Sequence, residues 1–480
     1  MESRIIHFET LGCRLNQDES EGAARAFRQN GFTVDMEAAS ASSEKNSSVI
    51  LSVVNTCTVT GKAEQKARRI IRLLLEKFPE SKIIVTGCYA ELDGNLIESI
   101  CPERIVALKG TQKFMLSLIA SELSSGTSLY DEGIVSVPAL RNFISSGAEK
   151  NGSSSQKIFN AFSLFTPVFE KHSRGSIKVQ DGCNCACSFC RIHLARGKSV
   201  SLDADEVVSR VKEIERSGIN EVVFTGVNLS QYSSLDSYGK SVDFSRLLQM
   251  VIDATEKISL RISSFYPQSI DSGLCAVLSD PRIQPFFHMS IQSGSDRILE
   301  LMRRPHSVSH VEKSIELIRK AKENPFISCD MIAGFPGETD ADFAMTMKLC
   351  NEQNFAWIHA FPFSPRQGTP AMHMKGQVEE RVKTERVKQL TEKAVQGKIS
   401  YVDYWKERTV SAVVENSRAI RKSIASPVIH AVTENYLHVE CPSPSFPCRP
   451  GDKISVVIKE ACPESISSGK EIDCTGIVVH

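Results

Sequence analysis

The chain has 480 residues, is 41% apolar, and carries 57 Lys and Arg against 57 Asp and Glu. At about 150 residues per domain that length fits roughly two to four domains with ordinary globular cores. A formal charge of zero excludes a protein that coats nucleic acid along its whole surface, but leaves room for a local basic patch. No apolar run is long enough to span a bilayer, and Met1-Glu2-Ser3-Arg4 leads directly into Ile5-Ile6-His7-Phe8, without an apolar signal segment; the expectation is a cytoplasmic protein with no membrane association.

In chain order, strands are predicted at Ile5-Ile6-His7-Phe8, Val49 to Val54 and Lys82 to Thr86. The run Arg69 to Leu75 carries an apolar helical face between the last two, which predicts a parallel α/β sheet. Ala38 to Ser48 is a polar surface insertion, and from Ser124 to Gln156 Ser and Gly dominate, the composition of a linker. From Ile177 to about Met374 strands and helices alternate again, with apolar runs at Glu221 to Phe224, Leu260 to Ile262, Phe287 to Ile291, Asp330 to Ile332 and Trp357 to Phe361. A helix with Val207, Val208, Val211 and Ile214 on one face is closed by Gly218. Repeated βα units predict a parallel barrel or part of one. Residues 381–422 hold eleven Lys and Arg against five Asp and Glu. Short alternating strands follow at Thr409 to Val414, Val428 to Val432, Tyr436 to Val439, Ile454 to Ile458 and Gly476 to Val479, predicting a small β-barrel. The predicted division is an α/β domain over 1–123, a linker over 124–168, a βα core over 169–400 and the small barrel over 401–480.

Fifteen cysteines in a reducing compartment point to metal or redox chemistry rather than disulfides. Single ones, such as Cys275, Cys329, Cys350 and Cys462, suit buried small hydrophobes. Cys183, Cys187 and Cys190 form CxxxCxxC, a spacing that wraps one face of a 4Fe–4S cluster and leaves one iron open to chelate S-adenosylmethionine. The alternative is a zinc knuckle completed by Cys185 or His193. Position favours the cluster, because the motif follows a strand at Ile177-Lys178-Val179, at the start of the βα series. Using Cys185 would break the spacing. Cys13, Cys57 and Cys88 each fall two to five residues after a predicted strand of the first sheet, where ligands of parallel sheets bind. Gly12 and Gly87 would let the backbone approach a bulky group. Either these are three independent loop cysteines, or they hold a second cluster with its own open iron.

Thr10-Leu11-Gly12-Cys13-Arg14-Leu15-Asn16-Gln17, Asn55-Thr56-Cys57-Thr58-Val59-Thr60 and Thr86-Gly87-Cys88-Tyr89-Ala90 resemble the N-terminal domain of the radical SAM methylthiotransferases. The resemblance continues through Gln180-Asp181-Gly182-Cys183, Ala195-Arg196-Gly197, Gln292-Ser293-Gly294-Ser295-Asp296, Met302-Arg303-Arg304-Pro305, Gly334-Phe335-Pro336-Gly337-Glu338-Thr339 and Phe361 to Arg366. Thr433 to Leu437 and Pro450-Gly451-Asp452 resemble a TRAM domain, a small RNA-binding barrel. The likeness covers nearly the whole chain in the family's domain order. It implies a radical SAM 4Fe–4S cluster on Cys183, Cys187 and Cys190, an auxiliary 4Fe–4S cluster on Cys13, Cys57 and Cys88 that carries the sulfur, and S-adenosylmethionine as both radical source and methyl donor. Cys57 to Ala63 and Leu108-Lys109-Gly110-Thr111-Gln112-Lys113 look most like the members that act on N6-threonylcarbamoyladenosine beside the tRNA anticodon. The alternatives within the family are N6-isopentenyladenosine in tRNA and an aspartate of a ribosomal protein.

For the cofactor, the resemblance points to Thr225, Gly226 and Asn228 in the loop that receives the methionyl end; a generic strand-to-loop turn is the plainer account. Arg261, Ser263 and Gln292 at strand ends are candidate cofactor or substrate contacts or structural residues, and Gly334 to Glu338 is expected near adenine. No catalytic group beyond the cluster ligands is assigned. Arg303 and Arg304 are phosphate contacts or a solvated face, and the same two readings apply to the basic helix from Arg381 to Lys398. Expected partners are the tRNA anticodon stem-loop, an electron donor such as flavodoxin or ferredoxin, and a sulfur source; the expected state is a monomer. Two departures from the family pattern stand out: Arg191-Ile192-His193-Leu194 lacks the usual proline, and Tyr266 stands where a glutamate is common. Two other classes compete, a zinc-stabilised RNA-binding protein without chemistry and a cluster-assembly or sulfur-carrier protein.

Overall fold

The computed structural model describes residues 4–126, 128–149, 158, 160–169, 172–415 and 428–479. The chain falls into two compact units, one made of residues 1–166, 178–185 and 190–202, the other of 167–177, 186–189 and 203–480.

The first unit is built on strands β1 (Ile5–Thr10), β2 (Thr33–Asp35), β3 (Val49–Thr56), β4 (Lys82–Gly87) and β5 (Ile105–Ala107). They pair in parallel in the order β2-β1-β3-β4-β5. Successive apolar residues serve opposite faces. Ile6, Phe8, Leu51, Val53, Ile84 and Val106 face one core, with helices α1 (Arg14–Gln29) and α4 (Met115–Ser125) over it. Val49, Val54, Ile83, Val85 and Ile105 face the other, under α2 (Gly61–Lys77) and α3 (Cys88–Glu98). A sheet buried on both sides needs these near-continuous Val/Ile runs.

The segment 124–168 is not a plain linker. A hairpin pairs Tyr130–Asp131 with Ile134–Val135, and α5 (Val137–Glu149) follows. Val135 of the hairpin and Val137, Leu140 and Ile144 of α5 complete the first core; three apolar residues at helical spacing outweigh the Ser/Gly composition around them. Gly22 of α1 lies so close to Leu164 that a Cβ would meet its backbone at 2.4 Å. The tract Gly152-Ser153-Ser154-Ser155 lies outside the described residues.

In the second unit, β6 (Gly175–Lys178), β7 (Glu221–Thr225) and β8 (Ser259–Ile262) form one sheet, and β9 (Phe286–Gln292), β10 (Phe326–Ala333) and β11 (Trp357–Pro362) a second, parallel one. Bridges Leu260 to Ile283 and Phe265 to Met289 join the two into an open six-stranded partial barrel. The last five strands, β12 (Thr409–Val414), β13 (Val428–Thr433), β14 (His438–Pro442), β15 (Lys453–Ala461) and β16 (Cys474–Val479), close a barrel in the order β12-β13-β14-β16-β15. Its core runs without a break into Phe286, Phe326 and Tyr401, so it packs on the starts of the central strands. The long helix α6 (Glu380–Trp405) crosses the expected boundary at residue 400, and barrel and βα core form a single unit. Among the described residues no helix is long and apolar enough to cross a membrane.

Candidate functional site

Cys13 is the residue before α1, Cys57 follows the last residue of β3, and Cys88 opens α3 directly after β4. Because β1, β3 and β4 are neighbours, their carboxyl-end loops share one sheet edge. Two asparagines tie those loops together. Asn16 donates to the carbonyls of Leu11 (2.8 Å) and Thr56 (3.0 Å), and Asn55 donates to the Asn16 carbonyl (2.9 Å). The glycines serve this packing: Gly12 (φ 101°) abuts the Cys57 side chain, and at Gly87 (φ 95°) a Cβ would meet the Thr56 carbonyl oxygen at 2.2 Å. Cys57 and Cys88 are buried while Cys13 is open to solvent. Burial pushes the Cys57 thiol up to about 11, and the nearby sulfurs of Cys13 and Cys88 push the same way, against the Arg196 guanidinium.

Arg196, on the short helix Ile192–Arg196, belongs to a buried charge cluster that the sequence did not announce. Glu19 accepts from Lys113, from Lys178 (2.7 Å) and from Arg196 (3.1 Å), while Asp181 pairs with Lys178 (2.5 Å) and Arg196 (3.0 Å). Arg196 and Lys113 also reach the Asn16 side-chain oxygen at 2.9 and 3.4 Å, which couples the cluster to the cysteine loops. Burial alone would raise the Glu19 carboxyl, but Arg196, Lys113 and Lys178 hold it well below the usual carboxylate range. The available signal was on α1: Asn16, Asp18, Glu19, Ser20 and Glu21 are consecutive or nearly so, and buried. Beside the cluster is a cavity of about 420 Å³, with Cys88 in its wall.

Each sulfur of the CxxxCxxC loop has its own N–H donor. The backbone of Cys185 donates to Cys183 Sγ (3.4 Å), that of Ile192 to Cys190 Sγ (3.3 Å), and Arg304 Nη1 to Cys187 Sγ (3.3 Å). Cys183 is held by its N–H to the Gly197 carbonyl (3.0 Å), and Ser188, next to Cys187, by bonds to Met302 and Leu301. Among the described residues no three His, Cys, Asp or Glu side chains are arranged to hold a single metal ion. Arg304 is not part of a solvated face. Its guanidinium lies 4.3 Å over the Tyr266 ring, bonds the Tyr266 hydroxyl (3.2 Å) and the Ser290 carbonyl (2.6 Å), and turns to Cys187. Arg303 is exposed.

Of the expected cofactor residues, Thr225, Gly226, Asn228, Ser263, Gln292 and Gly334 all lie at or just beyond the carboxyl ends of β7, β8, β9 and β10. Thr225 donates its hydroxyl to the Ile177 carbonyl (3.2 Å), and Asn228 accepts from Ser230. Ser263 Oγ is buried without a partner among the described residues. Gln292 ends β9 with φ 82° after a register shift. Glu338 accepts from the Gly334 N–H (2.7 Å) and from Arg386 Nη1 (2.6 Å), so its carboxylate shapes the Gly334 loop. Arg261 takes the structural of its two readings. Its guanidinium is committed to Glu221 at 2.7 and 3.0 Å and to the Thr433 carbonyl (3.2 Å), with the Phe286 and Tyr436 ring centroids 5.7 and 5.2 Å away. Glu221 is the first residue of β7, so Arg261 fastens the small barrel to the starts of the strands and faces away from the loops.

Residues 177–350 match the radical SAM superfamily, and residues 5–107 match a family described as uncharacterized protein family UPF0004. A Treponema pallidum protein named threonylcarbamoyladenosine tRNA methylthiotransferase MtaB is 41% identical, over 90% of this chain and 93% of that protein. The chain belongs to the radical SAM methylthiotransferase family. This methylthiotransferase is also 31% identical to an Aeromonas salmonicida protein named tRNA-2-methylthio-N(6)-dimethylallyladenosine synthase, over 81% of this chain and 76% of that one. Among solved structures, the radical S-adenosylmethionine methyltransferase TsrM from Kitasatospora setae, with cobalamin and a 4Fe–4S cluster bound, shares the fold at a TM-score of 0.51 and 13% identity, covering 77% of the methylthiotransferase and 74% of TsrM. As a radical SAM enzyme, the methylthiotransferase uses S-adenosylmethionine and a 4Fe–4S cluster.

Proposed function

We propose that the protein adds a methylthio group at C2 of N6-threonylcarbamoyladenosine at position 37 of tRNA, next to the anticodon, giving 2-methylthio-N6-threonylcarbamoyladenosine. The observation that carries this choice is the 41% identity, over nearly the full length of both chains, to a relative named for that nucleoside, against 31% to one named for dimethylallyladenosine.

Cys183, Cys187 and Cys190 would hold the radical SAM cluster. The three N–H donors at their sulfurs support thiolate ligation, since such bonds orient cluster ligands and offset their charge. When bound, the cluster supplies the electron that cleaves S-adenosylmethionine. Arg304 would fix Cys187 and place a cation beside it, with Tyr266 beneath holding the guanidinium in plane. Ser263, with its unpartnered hydroxyl, and Asn228, Gln292 and Gly334 would bind the cofactor, with Thr225, Gly226 and Glu338 shaping the loops. Cys13, Cys57 and Cys88 would hold an auxiliary 4Fe–4S cluster as the sulfur carrier; their convergence at one sheet edge beside Arg196 supports it. The closed C-terminal barrel and the exposed Arg381 and Lys388 of α6 would contact the phosphates of the anticodon stem-loop. Lys383, Arg386 and Lys398 of the same helix are tied to Glu380, Glu338 and Asp473. The proposal includes a monomer working in the cytoplasm with an electron donor such as flavodoxin or ferredoxin and a separate sulfur source.

The purified enzyme, with clusters reconstituted and given S-adenosylmethionine, sulfide and a reductant, is tested on anticodon stem-loops bearing either N6-substituted adenosine. Methylthiolation of the threonylcarbamoyl loop is the expected product; turnover of the isopentenyl loop alone would contradict the assignment.

A further inference from the structure

The cavity beside Cys88 carries more positive charge than its acids neutralise. Four cations line it, Lys113, Lys178, Arg196 and Lys198, against two acids, Glu19 and Asp181. The first three are bound to those acids. Lys198 is exposed and has no ion-pair partner among the described residues. The Gln112 side chain also lines the cavity, with no hydrogen-bond partner among the described residues. At about 420 Å³ the space falls within the ordinary range of small-ligand sites, about 300–1,000 Å³, and Phe114, Leu164 and Val200 give it an apolar wall.

The chemistry of the substrate explains why such a cavity would sit here. C2 and N6 of adenine flank N1 on the same edge of the base. A sulfur delivered to C2 from the loops of Cys13, Cys57 and Cys88 therefore brings the N6 substituent within a few ångströms of those loops. A threonylcarbamoyl substituent ends in a carboxylate and a hydroxyl, whereas a dimethylallyl substituent ends in a branched hydrocarbon. An uncompensated cation in a partly enclosed wall attracts the first and gains nothing from the second, and charge-assisted bonds of this kind are the strong ones.

We propose that this cavity receives the threonylcarbamoyl substituent, with its carboxylate paired to Lys198 and its hydroxyl or carbamoyl group bonded to Gln112. The proposal rests on the nucleoside assignment above. It makes the N-terminal unit, rather than the RNA-binding barrel, the element that distinguishes one N6-modified adenosine from another.

The test is equilibrium binding of the full-length, cluster-loaded enzyme to synthetic anticodon stem-loops carrying N6-threonylcarbamoyladenosine, its methyl ester or N6-dimethylallyladenosine. The wild type is expected to bind the free acid about tenfold more tightly than the ester, the worth of one charge-assisted contact. Lys198→Met is expected to bind acid and ester alike and Lys198→Glu to bind the ester more tightly than the acid, the ester serving as the internal measure of folding and RNA docking. If the wild type prefers acid to ester and both variants keep that preference, the cavity assignment is overturned while the nucleoside assignment stands. The cavity assignment alone is likewise overturned if the wild type ignores the ester change yet prefers the threonylcarbamoyl loop to the dimethylallyl loop. If the wild type prefers the dimethylallyl loop, the nucleoside assignment falls, and the cavity assignment with it.

Discussion

Glu19 lies on the buried face of α1, where an apolar residue would ordinarily pack, and three cations converge on it. A buried carboxylate with such company is costly to disturb, because removing it leaves several charges without a counter-ion. Its folded carboxyl titrates below the ordinary value of 4.5, so its stabilising contribution is complete above that pH and is lost as pH falls through the folded value. Glu19→Gln is therefore expected to cost about 3 kcal/mol or more at neutral pH, with the gap to wild type narrowing in acid. Denaturant unfolding at several pH values measures both; a gap that is small at neutral pH, or that widens in acid, would contradict the electrostatic origin of this stability. At this scale the sequence was uneven. The cysteines were conspicuous because three thiolates on one face of a cluster require a fixed spacing. The Glu19 cluster was not, since its members are scattered from Glu19 to Arg196 and meet only through the sheet. Arg261 was left open between a ligand contact and a structural role for a different reason: a strand position does not say to which end of the sheet a long side chain turns, and Glu221 with the Tyr436 ring draws it to the strand starts.

The elements themselves were more legible, since Val/Ile runs bounded by turn residues have few competing conformations. The run expected from Val49 to Val54 is β3, Val49–Thr56, and four of the five short barrel strands lie where the alternating pattern put them; the one expected from Tyr436 to Val439 is His438–Pro442, because Tyr436 (φ 65°) belongs to the turn before it. The segment 124–168 was obscured by its composition, because Ser and Gly hid the apolar stripe of α5. Helix packing depends on details that periodicity does not carry. Gly397 brings α6 so close to the chain entering β11 that a Cβ would meet the Phe355 carbonyl oxygen at 2.2 Å. Gly397→Val is expected to force the helix outward at a cost of about 2 kcal/mol, while the same change at the neighbouring exposed Gln396 has little effect. A lowered denaturant midpoint for the first and an unchanged one for the second would support this packing; equal midpoints would contradict it.

For the whole molecule, a net charge of zero conceals strong local separation. Cations gather around the cysteine loops of the N-terminal unit and along α6, and the small barrel makes its apolar contact with the strand starts, leaving the loops at the carboxyl ends of the central strands clear of it. Two sets of cysteines, each at the carboxyl ends of parallel strands, fit an enzyme that generates a radical with one centre and delivers sulfur from another. The most direct test is nucleoside mass spectrometry of tRNA from cells lacking the gene. The expected result is loss of 2-methylthio-N6-threonylcarbamoyladenosine with accumulation of N6-threonylcarbamoyladenosine, reversed by the intact gene but not by Cys13→Ala or Cys187→Ala. An unchanged tRNA profile would contradict methylthiolation of this nucleoside by the enzyme.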